Sequence, residues 1–331
     1  GGFGSFLVFV PQIFVLTFIV GILEDSGYLA RAAIICHRPL SWFGLSGKSF
    51  VPLLSGHACA IPAIMAARTI DSPKRRLLTQ MVVPLMACSA RLPVYSLFIA
   101  ALIPSTTFLG GLIGYQGLAF FGIYAFSILV ALIVSGITSK TLFKKESDSP
   151  FVLELPPYRL PHWKPLLTRA LSSAWKFITK AGAIIFTVTM VIWFLGYFPD
   201  GDGSLSTSYL SVIGKFVSPI FEPLGVDWKF SVAILTSFLA REVFVGTLGT
   251  LFGIEGADED VTGLSDQLTS SGFSLASGFA LLVFYAIAMQ CVSTLAVMKK
   301  EMGGYRYPLI ALTLYSVLAY VLAVVTYKIL V

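Results

Sequence analysis

Charged residues are scarce in this chain. Asp, Glu, Lys and Arg make up only 12% of its 331 residues, whereas hydrophobic residues make up 56%. Soluble domains carry roughly 25% charged residues, so a soluble protein could not cover its surface with so few charges. Apolar runs near the roughly 20 residues that cross the hydrocarbon core of a bilayer recur along the whole chain. These proportions predict an all-α polytopic membrane protein.

The chain also lacks paired cysteines. Its four cysteines, Cys36, Cys59, Cys88 and Cys291, form neither a CxxC motif nor the disulfide framework of a small secreted domain. The net charge of +6 does not indicate a nucleic-acid partner, because the basic residues of a membrane protein set its orientation. We expect no function for Cys36.

A complete phosphate-binding loop is missing too. The stretch FGLSGKSFVPLL contains Gly47 and Lys48, but the pattern G-x-x-x-x-G-K-[ST] requires a glycine where Trp42 stands. We interpret the stretch as a connector rather than a nucleotide site, and no nucleophile–base set indicates an enzyme. The first apolar run has no basic n-region or cleavage site, so it is not interpreted as a signal peptide. We expect a further span before it.

Apolar segments divide the chain into two halves. They lie at about 5–23, 50–67, 77–103, 118–137, 177–198, 229–251, 276–298 and 307–329. A polar, proline-rich stretch at 138–176 separates the fourth from the fifth and is interpreted as a cytoplasmic surface linker. Residues 1–137 and 177–331 are therefore predicted to be two repeats of four segments each.

Loop charges predict how these segments are oriented. Lys and Arg are concentrated at 68–76, 138–176 and 299–306. They are absent from 104–117, 199–209 and 252–274. By the positive-inside rule the first group faces the cytoplasm, so segments 50–67 and 229–251 each begin and end on one side. We interpret both as re-entrant or broken helices, and the two halves as inverted-topology repeats, an architecture that transporters use.

In the first half, reactive side chains lie beside helix breakers. Gly56 and Pro62 flank His57 and Cys59, and glycine and proline at such a point break the helix and release backbone carbonyls. His57 and Cys59 are therefore candidate ligands of a metal ion. The alternatives are a small thiol packed inside a helix and an imidazole satisfied by the backbone.

The next span carries a second group of this kind. Between Pro84 and Pro93 lie Met86, Cys88, Ser89 and Arg91. Sulfur, hydroxyl and carbonyl groups suit a borderline-soft divalent metal, and an arginine at membrane depth needs a cavity or a partner. The alternative is a kinked packing helix in which the arginine pairs with a carboxylate.

The second half repeats the pattern with a carboxylate added. Arg241 and Glu242 lie inside an apolar run; we expect Glu242 to face a pore and Arg241 to neutralise another group, unless they belong to a buried structural ion pair. In the following span Met289 and Cys291 belong to a polar cluster. The position of this cluster matches that of Cys88, so the two thiols are candidate symmetry mates.

Two further carboxylates, Glu24 and Asp25, end the first span. One interpretation is that they gather cations at the cytoplasmic mouth of a path. The other is a solvated turn in which Asp25 caps the next helix.

Several long stretches together resemble one family, the membrane domain of the bacterial ferrous iron transport protein B. They are LEDSGYLARAA, GKSFVPLLSGHACAIPAIMAART, VVPLMACSARLPVYSLF, LELPPYRLP, AREVFVGTLGT and AMQCVSTLAVMKKE. The resemblance covers nearly the whole chain and implies an Fe(II) importer of the bacterial inner membrane. It implies an iron path through Cys59, Cys88 and Cys291, with carboxylates at Glu24, Asp25 and Glu242. Ala60 is a departure, because family members often carry a polar residue after the first of these cysteines.

The resemblance also implies partners. A GTPase domain that uses GTP and Mg would precede residue 1 and gate the path through the cytoplasmic turns, with Lys48 as a contact. A small soluble SH3-like accessory protein and further copies of the chain are implied as partners, besides the lipid bilayer itself.

We therefore predict Fe(II) import at the repeat interface, where sulfur, hydroxyl and carbonyl groups replace the water around the ion. Two alternatives stay open. One is a secondary transporter of a nucleoside or of another metal such as Mn(II), and the thiols argue against the nucleoside. The other is a membrane scaffold that transports nothing, which would leave the polar groups at membrane depth unexplained.

Overall fold

The computed structural model of the chain is built almost entirely of helices. It describes residues 2–104, 106–108, 113–141, 157–176, 178–179, 187, 190–191, 194–195, 198, 208–238, 241, 243–253, 261–270 and 273–331. In this part the only strands, β1 (Thr107–Phe108) and β2 (Ile113–Gly114), form one short antiparallel pair. The all-α prediction is confirmed.

The described residues up to Thr141 contain seven helices, the last of which runs into the predicted linker. They are α1 (Gly2–Asp25), α2 (Tyr28–Trp42), α3 (Phe50–Gly56), α4 (Ala60–Ala66), α5 (Pro73–Val82), α6 (Leu92–Leu102) and α7 (Tyr115–Thr141). Short 3₁₀ turns lie at Gly47–Ser49, Ala67–Thr69, Val83–Leu85 and Ser89–Arg91.

The helices described in the rest of the chain begin inside the linker. They are α8 (Trp163–Lys176), α9 (Tyr209–Phe221), α10 (Trp228–Ser237), α11 (Val243–Phe252), α12 (Val261–Ser270), α13 (Leu275–Ile287), α14 (Val292–Met302) and α15 (Arg306–Leu330). A 3₁₀ turn at Glu222–Leu224 follows α9.

Three stretches of the described residues are long and apolar enough to cross a bilayer: Pro73–Leu102, Tyr115–Thr141 and Arg306–Leu330. A fourth is formed if Ile13–Asp25 and Tyr28–Trp42 count as one span bent by 82°. The bend falls at Gly27, whose φ of 81° is a left-handed conformation that glycine adopts without steric penalty. The prediction of a polytopic membrane protein is confirmed, and the predicted span at 177–198 lies largely outside the described residues.

Both segments that we interpreted as re-entrant are pairs of short helices. Residues 57–59 separate α3 from α4, and these two helices pack against each other. In the second half α10 ends at Ser237, α11 begins at Val243, and these helices also contact each other. Each half thus contains a helix–break–helix element, and the inverted relation of the halves stays a prediction.

Some helices lie where the sequence indicated only connections. Inside the proposed linker, α8 packs on α1 and buries Leu166, Ala170 and Ala174. Their spacing of four residues places them on one face of the helix. This apolar pattern is short and lies in a proline-rich stretch, so the sequence was interpreted as a linker. The predicted outer loop 252–274 likewise contains α12, which packs on α6.

The two halves share one core. The Phe244 ring lies 5.8 Å from the Phe98 ring and 4.8 Å from the Tyr285 ring, measured between centroids. The Tyr315 hydroxyl of α15 donates a hydrogen bond of 2.8 Å to the carbonyl of Met81 in α5. Helices in a membrane associate through close packing and interhelical hydrogen bonds of this kind.

The GLSGKS stretch folds as a tight turn against α7. Gly44 has a φ of +79°, and a Cβ at this position would overlap the side chain of Ser139. The neighbouring Ser135 hydroxyl donates to the Phe43 carbonyl at 3.0 Å. The glycine is therefore needed for the turn and for its close approach to α7.

We expect the substitution Gly44→Ala to destabilise the folded protein by at least about 1–2 kcal/mol, because a left-handed alanine alone has a steric penalty of that order. The overlap with Ser139 adds to it. The melting temperature in detergent measures the effect. Gly117→Ala in α7 is the matched control, because its Cβ would meet no atom within 4 Å. Equal melting temperatures for the two variants would contradict the interpretation.

Candidate functional site

Three of the four cysteines occupy the same kind of backbone position. Cys59, Cys88 and Cys291 each lie immediately before a helical turn, at the N-cap residue of α4, of the Ser89–Arg91 turn and of α14. Their backbone is extended, with ψ of 134°, 164° and 106°. Each thiol therefore lies at a break in a membrane helix, where backbone groups have lost their helical partners.

Prolines account for the breaks in the first half but not for the break before Cys291. Pro84 lies in a 3₁₀ turn, and Pro62 and Pro93 lie in the first turns of α4 and α6, where proline's missing N–H is tolerated. The break before Cys291 begins at Ala288, with φ −55° and ψ 136°. No proline lies in that stretch, AMQCV.

Side chains hold the two breaks of the first half together. The Ser89 hydroxyl donates to the Ala58 carbonyl at 2.9 Å. The His57 Nδ1 atom lies 3.1 Å from the Ala87 carbonyl oxygen. Since a carbonyl can only accept, Nδ1 carries the proton in this contact and Nε2 is left as the acceptor nitrogen.

Arg91 connects these breaks to the second half. Its fully buried guanidinium donates through Nη1 to the carbonyls of Leu85 (3.3 Å), Met86 (3.4 Å) and Ala286 (2.8 Å). Nη2 donates to the carbonyls of Pro84 (3.3 Å) and Ala288 (3.2 Å). Arg91 thus satisfies carbonyls released by two helix breaks. The alternative in which it pairs with a carboxylate finds no support among the described residues.

Arg241 makes a second connection at the same place. Its Nε donates to the Gln290 carbonyl at 3.1 Å, its Nη2 to the Ala288 carbonyl at 3.3 Å and its Nη1 to the Cys88 sulfur at 3.1 Å. The side chain is buried, with the residue 5% exposed. Cys88 and the residue before Cys291 are therefore bound by one guanidinium.

Of the other predicted metal ligands, the two methionines lie beside Arg91 and Arg241, and the remaining three are carboxylates. Met86 and Met289 are buried within the same two breaks. Glu242 lies outside the described residues. Glu24 and Asp25 lie at the end of α1.

Linker residues engage both carboxylates of α1. Arg169 Nη1 lies 2.8 Å from Glu24 Oε2, and Arg159 Nη2 lies 2.9 Å from Asp25 Oδ1. The backbone N–H of His162 donates to Asp25 Oδ2 at 2.7 Å. The interpretation of Asp25 as a helix cap is wrong, because the N-cap residue of α2 is Gly27.

The described residues contain no group of three or more His, Cys, Asp or Glu side chains close enough to hold a metal ion. The possible metal ligands that do meet in this part are of another kind. They are one thiol and the backbone carbonyl oxygens of two broken helices, and all of them accept hydrogen bonds from arginine. Both arginines stand out in the sequence by their depth in apolar runs. Their carbonyl partners do not, and two of these, Ala286 and Ala288, have no polar side chain at all.

Another ion pair connects the two halves beyond the helix breaks. Arg68, after α4, meets Glu301, near the end of α14, through Nη2–Oε1 at 2.5 Å and Nε–Oε2 at 2.7 Å. This two-pronged geometry is the strong form of the pair. Hydrogen bonds from Arg68 hold the pKa of the Glu301 carboxyl below its ordinary value.

Two family models match parts of this chain. A family model described as "Nucleoside recognition" (Gate) matches residues 6–102 and 178–305, and one described as "Ferrous iron transport protein B C terminus" matches 120–172. No solved structure matches the chain.

Curated relatives cover almost the whole chain. An Fe(2+) transporter of Leptospira interrogans is 40% identical over 99% of the chain, and one of Leptospira biflexa is 43% identical over 96%. A fusion of Fe(2+) transport protein A with an Fe(2+) transporter in Porphyromonas gingivalis is 36% identical over 99%. The chain spans 50%, 48% and 43% of these three proteins, about half of their length.

We expect Glu301→Gln to lower the melting temperature at pH 7 and the difference from the unmodified protein to close as the solution becomes acidic. Because the folded-state pKa of Glu301 is lowered, the pair stabilises fully above the unfolded carboxyl pKa of about 4.3. That stability is lost as the pH falls through the folded-state pKa. Melting curves in detergent between pH 3 and pH 7 measure it.

Asp71→Asn is the control for this experiment. It breaks the ion pair with Lys48, in which the Asp71 side chain is 83% exposed, and exposed pairs contribute little. A Glu301→Gln difference that stays constant across the pH range would contradict the assignment.

Proposed function

Because this chain belongs to the ferrous iron transport protein B family, we propose that it forms the membrane path through which Fe(II) enters a bacterial cell. Relatives that are Fe(2+) transporters support the choice of ion. The observation that carries the proposal is the convergence of helix breaks with Cys59, Cys88 and Cys291 at their N-caps. The chain itself acts as a transporter and not as an enzyme.

Helix breaks supply what an ion needs at membrane depth. A divalent cation that leaves water must be offered other donors, and non-helical carbonyls serve this purpose in transporters and channels. Thiol and thioether sulfur adds preference for a borderline-soft metal over Mg²⁺ or Ca²⁺. Cys59, Cys88, Cys291, Met86 and Met289 would provide this sulfur in succession. Each site must hold the ion loosely enough to pass it on.

The Ser89 hydroxyl and the His57 ring have supporting roles in this proposal. Both are bound to backbone carbonyls of the neighbouring break, so they keep the cysteine-bearing turns in register. The Nε2 atom of His57 is left as the acceptor nitrogen by the Ala87 contact, and it provides a further ligand for the ion.

Carboxylates at the mouth of the path would concentrate the ion before entry. Glu24 and Asp25 are held by linker arginines, so loosening of the linker would turn them towards the ion. Glu242 is proposed to face the path in the second half. We propose that a GTPase domain, with GTP and Mg, acts from the cytoplasm on the cytoplasmic turns of the chain and so controls entry to the path. The Porphyromonas gingivalis fusion supports a small transport protein A as a partner.

A nucleoside is the second candidate substrate, because the family model that covers most of the chain is described as nucleoside recognition. Nucleoside sites use amides and aromatic rings, and the donors gathered here are sulfur and carbonyl groups. Competition of Fe(II) uptake by Mn(II) and by nucleosides separates the candidates.

We expect a triple Cys59→Ser, Cys88→Ser, Cys291→Ser variant of the complete protein to import Fe(II) into liposomes at least about tenfold more slowly, since loss of about 1.4 kcal/mol of ligand interaction is a factor of ten. The expectation holds because a hydroxyl is a poorer ligand than sulfur for this ion. Cys36→Ser is the control and leaves uptake unchanged. Full uptake by a correctly folded triple variant would exclude a path through the thiols.

A further inference from the structure

Arg241 occupies a set of ligands that would suit the transported ion. Its three donor groups contact the Cys88 sulfur and the carbonyl oxygens of Ala288 and Gln290 at 3.1 to 3.3 Å. One sulfur and two carbonyl oxygens from broken helices are also what a desolvated, borderline-soft cation requires. The guanidinium is itself a cation, so it and a metal ion cannot use these atoms together.

The positive charges near Cys88 also disfavour a metal ion while Arg241 is in place. Arg91 and Arg241 both donate to the Ala288 carbonyl oxygen, so two guanidinium groups lie side by side in the interior. Their hydrogen-bond partners in the described residues are carbonyls and the Cys88 sulfur. A divalent ion at Cys88 would add two more positive charges in a region of low dielectric, where repulsion is strong.

The two arginines differ in how they are held. Arg91 belongs to the Ser89–Arg91 turn and makes five hydrogen bonds, three of them to carbonyls of its own break. Arg241 reaches the site from outside it, from the interval between α10 and α11, and its bonds all cross to Cys88 or to the break before Cys291. Arg91 is bound mainly to its own helix break. Arg241 makes two bonds to the break before Cys291, in its own half, and one to Cys88 in the other half, so its side chain can withdraw without removing a described bond to the residues beside it in the chain.

We propose that Arg241 is a tethered cation that closes the metal path at Cys88. In the closed state its guanidinium takes the ligands of the ion. Passage requires the side chain to withdraw, and its return expels the ion by repulsion. This gating role rests on the proposed Fe(II) path, and it makes Arg241 a positioning and gating residue rather than a ligand.

The test measures access to Cys88 independently of iron. The complete transporter, with Cys36, Cys59 and Cys291 changed to Ser, is placed in liposomes and labelled with methyl methanethiosulfonate. We expect Arg241→Gln to raise the labelling rate of Cys88 by about tenfold or more, because the neutral side chain is shorter and no longer covers the sulfur. Arg68→Gln is the matched control, since the hydrogen bonds of Arg68 go to Glu301 and not to Cys88, and it leaves the rate unchanged.

A second measurement uses the protein with all its cysteines. We expect Arg241→Gln to let Fe(II) leak into liposomes without nucleotide, and the protein with Arg241 to stay closed. If labelling accelerates but neither protein ever carries Fe(II), Arg241 does cover Cys88, but the iron path is wrong and the metal gate falls with it. If the unmodified protein imports Fe(II) while Arg241→Gln changes neither labelling nor leak, the gate is overturned and the path stands.

Arg241→Met serves the same test if the glutamine variant does not fold. Methionine is unbranched and uncharged, and it fills irregular space in a protein interior. Failure of both variants to give a folded, monodisperse protein would also overturn the proposal, because a gate is dispensable for folding.

Discussion

The hydrogen bonds from buried arginine to the carbonyls of broken helices hold the centre of this protein together. Inside a bilayer each unsatisfied backbone group costs several kcal/mol, so helices can break only where partners are supplied. Arg91 supplies them for Pro84, Leu85 and Met86, and it reaches across to Ala286 and Ala288. The break before Cys88 and the break before Cys291 are both stabilised by this one side chain, which joins the two halves at that point.

The same interaction explains why cysteine can be presented at membrane depth. A thiol within a continuous helix packs among apolar neighbours, whereas a residue at an N-cap lies on extended backbone beside exposed carbonyl and N–H groups. Cys59, Cys88 and Cys291 all have this second environment. The positive charge that stabilises the breaks would also oppose any cation that enters, so the proposed gate links structural support to control of passage through electrostatics.

Much of this architecture could be predicted from the sequence. The lengths of the apolar runs predicted helices at 5–23, 77–103, 118–137 and 307–329. Two helix breaks were predicted from Gly56, Pro62, Pro84 and Pro93. Helices α8, α9 and α12 were missed, because their buried stripes are short and lie among prolines, glycines or acidic residues. The partners of Arg91 and Arg241 could not be predicted, since a backbone carbonyl carries no side-chain signature.

By itself the sequence determined the class of protein, the positions of its membrane helices and the residues whose chemistry is out of place in lipid. These properties follow from composition and local spacing, which act over a few residues at a time. Only the tertiary structure decided that Arg241 binds Cys88, that Asp25 is held by Arg159 and not by its own helix, and that three breaks meet. Such pairings join residues more than a hundred positions apart, and only packing of the two halves selects them.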